Sequence, residues 1–145
     1  MLIASFGCKK TTSPTPIPAP SSTTTLRPTE TSLLGNWIYD KQELYNNGVL
    51  VTTPGGTVTF NDPAVYHLQF NSTITTAPVN VTGNVYVVID GTSGSDHQNY
   101  WQVTTAGKLV IGSATYSIDV LNANNLSYYT GSLVTGAAIK YSFHK

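Results

Sequence analysis

This chain has little with which to do chemistry or to brace itself covalently. A single cysteine leaves no partner for an intrachain disulfide. Charged residues are only 10% of the 145 and sum to +0 with neutral histidine. Between residues 32 and 145 four lysines stand against six carboxylates, with no run of either sign. A nucleic-acid surface needs a basic stripe, so no nucleic-acid partner is expected. No stretch approaches the ~20 apolar residues of a membrane-spanning helix. Gly-x-Ser-x-Gly, His-Glu-x-x-His and phosphate-loop patterns are all missing. His67, His97 and His144 have no second His or Cys within five positions, so no converging zinc set is signalled. Asp90–Asp96 lacks the acidic spacing and closing glutamate of a calcium loop. The carboxylates Asp40, Glu43, Asp62, Asp90, Asp96 and Asp119 read as outward or turn positions, where solvated charge is the default. The expectation is a non-enzymatic protein with no metal and no cofactor.

What is present begins at the N-terminus. The apolar stub Met1–Phe6 and the small residue Gly7 precede the lone Cys8, which Lys9 and Lys10 follow. This resembles a bacterial lipobox, with Ser5 where that motif prefers Leu and with no basic start, so the reading places the true start upstream. The resemblance implies lipidation of Cys8 and stable anchoring by more than one acyl chain. Residues 1–8 are then a truncated lipoprotein signal, and the protein is expected on a membrane of the cell envelope. Residues 9–31 are rich in Thr, Ser and Pro, including Pro14, Pro16, Pro18 and Pro20 at alternate positions. Alternating prolines favour extended polyproline II, and so few apolar side chains cannot offset the entropy of ordering. A disordered tether is expected there, and one folded domain over 32–145.

The domain has β composition: Val, Ile, Leu, Tyr and Thr, broken by Gly, Asn and Pro turns. Period-two alternation runs through Trp37–Tyr45, Tyr66–Phe70, Tyr116–Val120 and Ile139–Phe143. In the first run Trp37, Tyr39 and Tyr45 share parity with Lys41 and Glu43, opposite Gln42 and Leu44. Asn46-Asn47-Gly48 is a hairpin turn. A long strand is expected over 79–90, bent at Gly83, followed by a polar loop over 91–99. Asp40–Tyr45 has neither cap nor continuation as a helix, and no helix is well signalled elsewhere. Eight or nine short strands with one wet face belong to an antiparallel barrel or sandwich.

Gly35-Asn36-Trp37, preceded by Leu33-Leu34, opens the first strand. After it come Tyr66–Phe70, Tyr100–Val103, Gly107–Ile111, Tyr116–Leu121, Asn125–Tyr128 and Ile139–Phe143. This order resembles the lipocalin superfamily, whose signature is Gly-x-Trp, and in particular the short lipocalin-like domain of anchored envelope lipoproteins in Gram-negative bacteria. The resemblance implies an up-and-down antiparallel barrel of about eight strands, often with a small-molecule cavity, in which Gly35 and Trp37 are structural and Trp37 plugs one end. It also implies a basic residue laid across that tryptophan. Parity turns Lys140 to water if Ile139, Tyr141 and Phe143 face inward, which leaves Lys145.

Tyr66, Phe70, Tyr86, Tyr100, Trp101, Tyr116, Tyr128 and Tyr141 are the candidate liners of an aromatic pocket with hydroxyl handles, suited to a small apolar or amphipathic ligand. The alternative is a β-sandwich adhesion or assembly module contacting other proteins. Strand order separates the two: a closed meander places first and last strands side by side, and a sandwich has Greek-key crossings. An enzyme built on the barrel would need buried carboxylates converging in a pocket.

Overall fold

The structure, a computed structural model, describes residues 25–145. Cys8 and the first part of the expected tether lie outside the described residues. The elements are α1 (Pro28–Leu33), β1 (Gly35–Asn46), β2 (Val49–Leu50), β3 (Thr57–Thr59), β4 (His67–Thr75), β5 (Val85–Asp90), β6 (His97–Val103), β7 (Lys108–Ile111), β8 (Ala114–Leu121), β9 (Asn125–Gly131) and β10 (Ala137–His144). Each strand from β4 to β10 pairs antiparallel with the next, β4 pairs with β1, and β10 returns to β1. Eight strands therefore close into a ring, with β2 and β3 as short additions on β1. First and last strands lie side by side over Ile38↔His144 to Asn46↔Ala137. This meander excludes the β-sandwich alternative as a fold.

The ring closes around Trp37, Leu68, Phe70, Val88, Trp101, Leu109, Leu126 and Phe143, all buried. Their alternation along each strand is what buries one face. Two one-residue irregularities reverse that alternation, one between Tyr39 and Lys41 against β10 and one between Ile118 and Val120 against β9. After the first, Gln42 lies opposite Tyr141 and Leu44 opposite Ile139, while Glu43 lies opposite Lys140 on the outer wall. The single parity expected for Trp37–Tyr45 thus holds only to Tyr39. A bulge inserts a residue and swaps faces without disturbing the sequence pattern. The bulged residues Asp40 and Asp119 both turn outward, and each meets a basic side chain from β10: Asp40 Oδ1 lies 2.5 Å from His144 Nδ1, and Asp119 Oδ2 2.6 Å from Lys140 Nζ. Lys140 is on the outer wall, as its parity requires, but it is paired there rather than free in water.

Three expectations need correction. The folded unit begins earlier than residue 32. Pro28 sits in the first turn of α1, where its missing N–H costs nothing. Glu30 accepts the Arg27 N–H at 2.8 Å and the Arg27 guanidinium at 2.7 Å, while Leu33 packs into the core. The strand expected over 79–90 is ordered only as Val85–Asp90. Val79 is fully exposed, and Gly83, at φ +89°, lies in the preceding loop. The loop expected over 91–99 is shorter, because β6 starts at His97. The hairpin turn is as expected: Asn47 and Gly48 have φ of 49° and 80°, the left-handed pair that such a two-residue turn requires.

Candidate functional site

The two ends of the ring are built differently. At one end α1, the β6–β7 turn and the C-terminus converge. Trp37 donates its Nε1–H to Leu33 O at 2.7 Å. Lys145 Nζ lies 4.3 Å from the centre of the Trp37 ring and donates to Leu34 O at 2.9 Å. Gly35 takes φ +112°, a conformation that other residues rarely adopt, and the Lys145 side chain passes beside it in ordinary contact distance. Arg27 Nη1 ties the helix to Thr104 O at 3.1 Å. Of the two lysines weighed for the place across Trp37, Lys145 holds it. Phe70 and Tyr86 close this layer against Trp101, with ring centres 5.1 and 5.2 Å away. A cavity of about 420 Å³ opens beside it, lined by Arg27, Glu30, Gly83, Tyr86, Gln102 and Thr104. Its charged groups already satisfy each other. Burial alone would lift the Glu30 pKa, but the hydrogen bonds and charge of Arg27 outweigh it and hold the carboxylate below its usual range.

The other end carries the long β1–β4 connection and the expected aromatic pocket. Tyr39 from β1 stacks on Phe143 at 4.8 Å, and Tyr128 from β9 lies between Phe143 and Tyr141, 5.3 Å from each. Tyr116 from β8 adds contacts to Tyr128 at 4.6 Å and to Tyr141 at 5.9 Å. Phe60, from the loop after β3, stacks on Tyr39 at 4.0 Å, with Tyr66 against it at 4.8 Å. Seven rings thus form one continuous layer inside the rim.

Tyr39 O–H donates to Gln42 Oε1 at 3.4 Å. The phenol oxygens of Tyr116, Tyr128 and Tyr141 make no hydrogen bond to any described residue. No described side-chain oxygen or nitrogen is both fully buried and without a partner, so each of the three keeps some accessible surface, although Tyr128 is almost wholly buried. Burial, reinforced by the neighbouring phenols and Asp90, pushes Tyr116 up to about 12, and the same causes raise Tyr39 and Tyr128 further. Burial also raises Tyr141.

Asp90 is the residue that sequence reasoning missed. It ends β5 on the parity of the buried Tyr86 and Val88, and its cross-strand partner is the buried Leu68. Its carboxylate therefore turns inward, near enough to raise the pKa of Tyr39, Tyr116 and Tyr128 from across the ring. The alternation Tyr86, Val88, Asp90 was the available signal.

The eight expected liners do not form one site. Tyr116, Tyr128 and Tyr141 meet around Tyr39 at the rim, with Tyr66 joined through Phe60. Phe70, Tyr86 and Trp101 belong to the opposite layer. Tyr100 lies on the other face of β6 from Trp101 and borders an outer hollow of about 210 Å³ with Thr75, Gln98 and Asn99, so it lines no interior pocket. With one end capped and the other lined by packed aromatic rings, the protein belongs to the class of small all-β barrels with a ring of eight antiparallel strands. Comparison with known proteins finds no matching family model, curated protein or solved structure.

Proposed function

We propose that this protein is a lipid-anchored lipoprotein of the cell envelope whose lipocalin-like barrel binds a small apolar or amphipathic ligand without catalysing a reaction. The observation that carries the reading is the rim layer, in which closely packed ring faces and phenol oxygens without a protein partner lie together. Such a mixture suits a ligand with a greasy body and a polar tip. Lys145 across Trp37 and the α1 plug add support, since the resemblance drawn from the sequence calls for a basic residue there. The chain enters the barrel at the capped end, through Leu26 and Arg27. A domain tethered from Cys8 would therefore present its mouth away from the bilayer. The periplasmic face fits better than the surface, because Lys9-Lys10-Thr11-Thr12 lacks the acidic residues expected of a surface-export signal.

Native mass spectrometry of the full chain purified from its own host tests the ligand. A co-purifying small molecule that is lost on unfolding is the expected result, and a clean apo mass in repeated preparations would refute it. Fractionation tests the anchor: Cys8→Ser should move the protein from the membrane to the soluble fraction, and unchanged membrane association would remove the lipoprotein reading.

A further inference from the structure

Almost every charged side chain of residues 25–145 has a partner on the wall or the cap. Arg27 pairs with Glu30, Lys41 with Glu43, Lys140 with Asp119, and Asp40 with His144. His67 faces Asp96 at 3.4 Å, Lys108 donates to Ser117 Oγ at 2.6 Å, and Lys145 lies over Trp37. Asp62 accepts from Ala64 N in an exposed turn. Asp90 breaks the pattern. It is the one carboxylate turned toward the rim layer, and no cation among the described residues pairs with it. Its Oδ1 accepts the Thr92 N–H at 3.0 Å and the Thr92 O–H at 2.6 Å, and its Oδ2 makes no hydrogen bond to a described residue. The imidazole of His97, its cross-strand partner, is turned instead to Ser95 Oγ at 3.0 Å.

We propose that the mouth of this barrel binds a small organic cation of the ammonium class, with Asp90 as counter-ion and the rings of Tyr39, Tyr128 and Tyr141 as walls. The inference rests on the ligand-carrier reading and narrows its chemistry. An anion would meet Asp90 with no compensating cation. An uncharged apolar guest would strip water from a carboxylate and three phenols and return nothing, a costly exchange. An ammonium head gains the carboxylate charge and the negative faces of the tyrosine rings, a combination suited to weakly hydrated alkylated cations. The free hydroxyls can donate to an oxygen on the same ligand. Phe60, stacked on Tyr39, occupies the place where such a head would lie and must swing aside with its loop.

Choline and its uncharged carbon isostere, dimethylbutanol, are the probes. Each is titrated into the full chain while the ring resonances of Tyr116, Tyr128 and Tyr141 are followed by NMR. Choline should shift these resonances and bind roughly tenfold or more tightly than the isostere. Asp90→Asn keeps an acceptor for Thr92 and should erase that preference, while Phe60→Ala should tighten choline binding. Equal binding of both probes, or an Asp90→Asn variant that still prefers choline, would overturn the cation assignment and leave the carrier reading standing. If neither probe moves the rim resonances in the wild type or in Phe60→Ala, both readings fall.

Discussion

The capped end and the rim of this barrel draw on the same stock of aromatic side chains and put them to opposite uses. At the cap the indole and the charged groups are matched: the Trp37 indole meets Leu33 O, Lys145 meets Leu34 O and the Trp37 face, and Arg27 meets Glu30, while the Tyr86 phenol makes no hydrogen bond to a described residue. At the rim the rings pack as closely, and the phenol oxygens of Tyr66, Tyr116, Tyr128 and Tyr141 and one carboxylate oxygen of Asp90 make no hydrogen bond to a described residue. Buried polar groups without partners are costly, so a fold keeps them accessible where something other than stability is served. The contrast separates a layer tied by hydrogen bonds and an ion pair from a layer packed ring on ring.

Substitutions should divide along the same line. The largest effect is expected at the cap. Trp37→Ala removes one of the two biggest fully buried side chains together with its hydrogen bond, and should cost about 3–5 kcal/mol by chemical denaturation; a loss below about 1 kcal/mol would mean the plug is not structural. Glu30→Ala comes next, at about 1–2 kcal/mol, by releasing the Arg27 amide and guanidinium. Because the folded pKa of Glu30 is lowered, its contribution is full above the unfolded value and fades as pH falls through the folded one. Wild type should therefore lose stability below about pH 4 more steeply than Glu30→Ala. Lys145→Ala should cost about 0.5–1.5 kcal/mol, the combined weight of one exposed cation–π contact and one hydrogen bond. The smallest effects belong to the rim: Tyr116→Phe and Tyr141→Phe remove hydroxyls that bond nothing, and should shift stability by less than about 0.5 kcal/mol. A larger loss at either would show that these oxygens are structural.

The rim also predicts an alkaline signature. Phenols whose folded pKa is raised stabilise the fold below their unfolded value and lose that contribution as pH climbs above it. Ultraviolet titration should show Tyr116 and its neighbours resisting ionisation past pH 10 and releasing protons only with unfolding. Smooth titration of every tyrosine near pH 10 would mean that burial does not hold these phenols protonated in the folded state.

Much of this fold can be read from alternation and turn residues, because Trp37, Phe70, Tyr128 and Phe143 recur at the period that buries one face of a strand. Two things escape such a reading. A bulge at Asp40 or Asp119 exchanges inside for outside after one residue, so Glu43 and Val120 shared a parity with the core and yet lie on the other wall. The α1 cap hides in a segment with tether composition, where only Pro28 and the reciprocal placement of Glu30 betray a helix start. For the site, residue type found the tyrosines, but only register sorted Tyr116, Tyr128 and Tyr141 from Phe70 and Tyr86, and set Tyr100 outside. Asp90 was discounted because a carboxylate at a strand end is usually wet. Its parity with Val88 placed it inside.

Everything said of cap and rim requires the ring to be closed between β1 and β10. Backbone NMR of the full chain tests this directly. Closure predicts cross-strand contacts between Gln42 and Tyr141 and between Leu44 and Ile139, with slowly exchanging amides along both strands. Fast exchange throughout β1 and β10 with no contact between them would contradict it.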